Sequence, residues 1–141
     1  MSDRHRLSWT AVRREAPLPA QIKRTYVRTP NGPLELLIAQ PPESFASQPR
    51  KKALLFQHGG FGSAPVWIPF MIYFSQAHGH PCYAVSLRGH GASWYPGYLT
   101  MVFATGRASM AQDLEHALSW VQGFEAGKRG GDLDLEEIVL I

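Results

Sequence analysis

Apolar residues in this chain cluster in two ways, and each way predicts a different element. Short apolar runs lie at the heart of 53–58, 82–87 and 137–141; the first, Ala53 to Phe56, ends in the polar pair Gln57 and His58, and the first two segments break into glycines. Runs of that length bounded by turn residues read as strands buried on both faces, as a parallel sheet requires. Two further runs, 22–29 and 34–40, are rich in β-branched, aromatic and aliphatic residues and flank Pro30-Asn31-Gly32-Pro33. Asn-Gly between two such runs predicts an antiparallel hairpin.

Two segments carry helical patterns instead. Residues 67–78 are apolar nearly all round, with Pro69 suited to a first helical turn and Gly79 to a stop. Such a helix should be buried or covered. Over 108–125, Met110, Leu114, Ala117, Leu118, Val121 and Phe124 recur at helical spacing, behind a Ser109/Gln112 capping box. Asp113 and His116 fall to the polar side or to the first turn, where an acid suits the helix dipole, and read as structural. Segments 41–52, 92–106 and 127–134 read as loops. The sum is an α/β fold: a mostly parallel sheet with an N-terminal antiparallel hairpin and helices on both faces. In that sheet, 53–58 is expected between 82–87 and 137–141.

Composition narrows the class. At 141 residues the chain suits one domain. No apolar run reaches the ~18 residues of a membrane span. The amino terminus lacks the apolar core of a secretory signal. The single cysteine, Cys82, makes no internal disulfide and opens an apolar run, so it reads as a small core residue. These features together predict a cytoplasmic protein. The net charge of +3 is uneven: residues 1–30 hold seven Lys/Arg against two acids, and the rest hold seven against nine. Residues 1–21 thus read as a basic tail. Asp3, Glu15, Pro17 and Pro19 interrupt it, which favours a solvated arm over a nucleic-acid surface, with a mitochondrial targeting segment as the minor alternative. His78 and His80 invite a metal-site reading, but no Asp or Glu lies near them in sequence and Cys82 reads as a core residue, so capping or exposure is the expectation. No cofactor and no metal are predicted.

The candidate chemistry lies where the strands end. Gln57-His58-Gly59-Gly60-Phe61-Gly62 follows the 53–58 run, and Arg88-Gly89-His90-Gly91-Ala92-Ser93 follows the 82–87 run. Glycines there let the backbone turn sharply and leave N–H groups uncovered, at the end of the sheet where open α/β folds bind ligands. The bland reading is a pair of tight strand-to-helix turns.

The two turns together, in this order and with a helix between them, resemble the α/β-hydrolase family, in its esterase, lipase and serine aminopeptidase-like branch. The resemblance covers about residues 22–141. It implies a small-molecule acyl substrate and an oxyanion hole built on the backbone N–H of Gly60, with Phe61 as the alternative. His58, Gly59, Arg88, Gly89, His90, Gly91 and Ser93 then belong to turn motifs. Trp94, Tyr95 and Tyr98 either line the cavity or shield the core under a long loop.

The resemblance also implies that a strand like 137–141 runs into Gly-x-Ser-x-Gly, with the acid and histidine following. None of the three is assigned here. Ser93 comes nearest, but Tyr95 stands where a second glycine belongs, and it follows the wrong strand. The expectation is therefore an amino-terminal half that ends before the nucleophile and is inactive as it stands. A non-catalytic binding module is the alternative. A nucleotide-binding protein is the third reading, weakened because neither turn extends to Gly-x-Gly-x-x-Gly. Self-association through the apolar 137–141 edge is expected.

Overall fold

The computed structural model describes Glu15, residues 17–131 and residues 137–141, with Arg129 by its backbone alone. Most of the basic 1–21 tail therefore lies outside the described residues. Five strands form one sheet: β1 (Ile22–Arg28), β2 (Pro33–Ala39), β3 (Ala53–Gln57), β4 (Cys82–Val85) and β5 (Ile138–Leu140). Their order is β1-β2-β4-β3-β5. The hairpin β1/β2 is antiparallel and β2 also meets β4 antiparallel, whereas β3 pairs parallel with both β4 and β5. β3 thus occupies the position between β4 and β5 that the sequence predicts.

Strand periodicity sorts the core into two layers. Leu34, Leu36, Leu55, Tyr83 and Val85 face one side of the sheet, and Leu37, Ala39, Leu54, Phe56, Cys82 and Ala84 face the other. The first layer is covered by α3 (Arg107–Arg129) through Ala117 and Val121, and the second by α1 (Ile68–His78) through Met71. The helices lie on opposite faces. A 3-10 turn over Ala64–Trp67 leads into α1, Pro69 sits in the helix's first turn, and Gly79 closes it at φ 72°. Cys82, the first residue of β4, is fully buried, and burial pushes its thiol up to about 12.

Three local expectations change. The 92–106 segment is not an uninterrupted loop, because Tyr98–Phe103 forms a short helix, α2, whose apolar side chains are largely exposed. The capping box is absent: Gly106 is the N-cap of α3, in extended backbone, and Ser109 lies inside the helix with its hydroxyl 3.5 Å from the Ala104 carbonyl. Asp113 does not belong to the polar side. Residues 113, 117, 121 and 125 follow one another at i+4 and share the sheet-facing side, so Asp113 and Glu125 are buried with Ala117 and Val121.

Each buried acid has partners. Asp113 holds Arg88, and Glu125 accepts a hydrogen bond from the buried Tyr83 hydroxyl and lies 3.5 Å from Lys128. Burial first, then the Glu125 carboxylate, pushes the Tyr83 phenol far above its ordinary value.

Candidate functional site

Because β3 and β4 are parallel neighbours, their carboxyl ends open side by side, and the two glycine turns meet there. Histidines join them. His58 is buried at the end of β3, and its Nε2 accepts the Leu87 N–H at 3.0 Å. With Nε2 an acceptor, Nδ1 must carry the hydrogen that it donates to the Gly59 carbonyl at 2.7 Å. The ring is therefore neutral. Burial, more than any neighbour, lowers its pKa below the ordinary histidine value.

His90 reaches the other way, from the β4 turn to the β3 turn. Its Nε2 lies 2.9 Å from the Gly60 carbonyl and its Nδ1 3.0 Å from the Arg88 carbonyl. The two imidazoles lie 4.7 Å apart, centroid to centroid. The 59–62 turn, whose Gly59 and Gly60 carbonyls the two rings hold, is closed by the Gly62 N–H on the Gly59 carbonyl at 3.0 Å. Gly59 and Gly60 are exposed, and the Phe61 side chain stands wholly in solvent.

Buried charge fixes the β4 turn from below. Arg88 spans to Asp113 on α3 and lies over the Trp94 ring at 5.3 Å. Trp94 is half-buried against the α3-side core, while Tyr95 is exposed and donates its hydroxyl to the Gly91 carbonyl at 3.2 Å. Tyr98 is exposed on α2. Glu35 of β2 is buried and accepts the Arg24 Nε at 2.8 Å, the Ser86 hydroxyl at 2.7 Å and the Ala92 N–H at 3.1 Å. Ser86 in turn accepts the Ala64 N–H at 2.9 Å. Gly91, at φ 54°, presses on this cluster so closely that a Cβ there would lie 2.5 Å from Glu35 Oε2.

Ser93, the serine nearest to a nucleophile motif, is fully buried in the same cluster. Its hydroxyl accepts the Glu35 N–H at 2.8 Å and donates to the Ser86 carbonyl at 2.5 Å. Both of its roles are taken by backbone. Among the described residues, no serine, threonine or cysteine is hydrogen-bonded to a histidine ring, and no group of three His, Cys, Asp or Glu could hold a metal ion. His80 contacts the Lys52 carbonyl at 2.9 Å instead of a second histidine. Among those residues, no helix is long and apolar enough to cross a membrane.

Two of the residues that brace the turns, Glu35 and Asp113, are absent from the site that sequence reasoning assembles. A signal existed for both. Glu35 interrupts the apolar run around Leu34, Leu36 and Leu37, and Asp113 sits one turn before Ala117 on the core stripe.

The alpha/beta hydrolase fold family matches residues 52–124, which is more than half of the chain and includes both turns. Solved structures with the same architecture include the thioesterase domain from the curacin biosynthetic pathway, at 16% identity and a TM-score of 0.57, over 70% of this chain and 31% of that one. The Cif epoxide hydrolase from Acinetobacter nosocomialis matches at 14% identity and a TM-score of 0.58, over 74% of this chain and 28% of that one. A haloalkane dehalogenase loop variant from Bradyrhizobium elkanii matches at 16% identity and a TM-score of 0.54, over 72% of this chain and 29% of that one. The chain thus spans under a third of the length of these relatives. No curated protein matches the sequence. With its sheet order, its two joined glycine turns and that match, the chain belongs to the alpha/beta hydrolase fold family.

Proposed function

We propose that this chain supplies the amino-terminal, oxyanion-binding half of a serine hydrolase that acts on an ester, lipid or peptide substrate. Acyl transfer builds negative charge on a carbonyl oxygen, and fixed backbone N–H groups stabilise it. The observation that carries the reading is the exposed 59–62 turn, set at the carboxyl end of β3 and braced by two histidines. The donor on this reading is the Gly60 N–H, with Phe61 as the alternative, and Tyr95 and Tyr98 border the acyl cavity. A second donor, the nucleophile, its acid and its histidine belong to sequence beyond β5. The named neighbours, a thioesterase and epoxide hydrolases, agree with hydrolysis as the reaction class.

On this reading the 141 residues alone should not turn over substrate. A fluorophosphonate, which needs an activated serine, should leave Ser63, Ser93 and Ser109 unlabelled. Stoichiometric capture at any of them overturns the reading. In a longer reading frame that supplies Gly-x-Ser-x-Gly behind β5, the new serine should label. Proline at 60 or 61 removes an N–H, and at the position that supplies the donor it should cut kcat/KM by about 10²–10³-fold.

The second reading, a non-catalytic binding module, draws on α2, where Tyr98, Leu99, Val102 and Phe103 are all exposed. A longer frame without a serine elbow favours it. On either reading the protein is cytoplasmic, and β5 offers an edge for self-association.

A further inference from the structure

His90 faces two carbonyl oxygens, and that pairing has a chemical consequence. A carbonyl accepts hydrogen bonds and donates none. The Gly60 oxygen lies 2.9 Å from Nε2 and the Arg88 oxygen 3.0 Å from Nδ1. A neutral imidazole carries one N–H and satisfies one of them. An imidazolium carries two and satisfies both. His58 shows the contrast, since its Nε2 meets an N–H and its Nδ1 a carbonyl, a pattern that suits only the neutral ring.

The second consequence is directional. The Gly60 carbonyl and the Phe61 N–H belong to one peptide plane, and a trans peptide carries them on opposite edges. No cis bond occurs among the described residues. When His90 holds the oxygen edge, the N–H edge points away from it, toward the solvent that surrounds Phe61. A hydrogen bond to a carbonyl also polarises the amide and strengthens its N–H as a donor.

We propose that His90 is a positioning residue: as an imidazolium it clamps the Gly60–Phe61 peptide to the Arg88 carbonyl and aims the Phe61 N–H as the donor of this site. The role of that donor rests on the oxyanion reading of the 59–62 turn; the clamp itself does not. The charged and titratable groups around His90 are few and already engaged. His58 is neutral at 4.7 Å, Arg88 is paired with Asp113, and Glu35, beneath Gly91, is held by Arg24 and Ser86. None offers His90 a side-chain acceptor in place of the two carbonyls.

NMR of the 15N-labelled 141-residue chain between pH 5 and 8 tests the clamp without any catalysis. The expected result is that in the acid form both His90 ring N–H protons are protected from exchange with water, as hydrogen bonds to the two carbonyls require. The Phe61 amide resonance should move with the same midpoint as the His90 ring. His90→Gln, which donates one hydrogen bond and has no charge, should abolish that midpoint at Phe61. A Phe61 amide that ignores the His90 titration, or that keeps the midpoint in His90→Gln, overturns the clamp. Proline scanning at 60 and 61 in the longer protein judges the oxyanion reading separately, so either can fail while the other stands.

Discussion

Arg88 and Asp113 grip each other through two parallel hydrogen bonds, Nε to Oδ2 and Nη2 to Oδ1, both 2.8 Å, and Asp113 Oδ2 also accepts the Arg88 N–H at 2.9 Å. Both side chains are buried, and the pair ties the turn after β4 to α3. The Asp113 hydrogen bonds raise the Arg88 pKa above its ordinary value. A buried pair is worth little against a hydrophobic substitute, but breaking it strands a charge. Asp113→Ala should therefore cost about 3–5 kcal/mol, read as a fall in the urea midpoint. Arg88→Lys should be nearly as damaging, because an ammonium lacks the planar fork.

The glycines of the two turns should answer differently to the same methyl group. At Gly91 the backbone is left-handed, and a Cβ would meet Glu35 Oε2 at 2.5 Å and Ser86 Oγ at 2.6 Å. At Gly60 nothing lies within 4 Å of a Cβ. Gly91→Ala should destabilise by about 2–4 kcal/mol, adding strain to a disrupted polar cluster. Gly60→Ala should stay within about 0.5 kcal/mol of the parent. Equal thermal shifts for the two variants would contradict the arrangement of the cluster.

Acid should weaken the fold through His58. Its folded-state pKa is lowered, chiefly by burial. Well above the ordinary histidine value of about 6.5, both folded and unfolded chains hold the ring neutral and its contribution is complete. As pH falls through that value, the unfolded chain gains a proton that the folded chain refuses, and stability is lost until the lowered pKa is passed. The melting temperature should fall from pH 7.5 to pH 5.5. His58→Gln, which keeps an acceptor for the Leu87 N–H, should flatten that slope.

The outer strand should mediate association. β5 pairs with β3 on one side, and among the described residues no strand lies on its other side. Val139, Leu140 and Ile141 are exposed there, and exposed apolar edges template pairing with further chains. Sedimentation at tens of micromolar should show concentration-dependent association that Val139→Lys weakens. A wild-type chain that sediments as a monomer throughout that range would refute it.

The sheet was legible because its residues obey simple periods. The stretches 53–56 and 82–85 were apolar on both faces, which placed β3 and β4 inside, and Asn31-Gly32 announced the hairpin. α2 was not legible: its six residues show no apolar stripe against a polar face, since nearly all are exposed. The glycine turns could be located from residue type, yet not the way they are held. His58 and His90 bind backbone atoms of distant loops, and no residue type in those loops betrays such a contact. Glu35 and Asp113 were harder still, since a charge in an apolar stripe reads as surface until its partner, Arg24 or Arg88, is placed beside it.

The one thiol of the chain makes it a natural clock. Cys82 begins β4, which is hydrogen-bonded to β2 on one side and to β3 on the other. A sulfur buried this deeply and held this far from thiolate does not react in place. Any alkylating or disulfide reagent must wait until β4 parts from a neighbour, so the modification rate counts openings of the central sheet. Measured beside the Phe61 amide, it would separate breathing of the scaffold from motion of the turn that the scaffold carries.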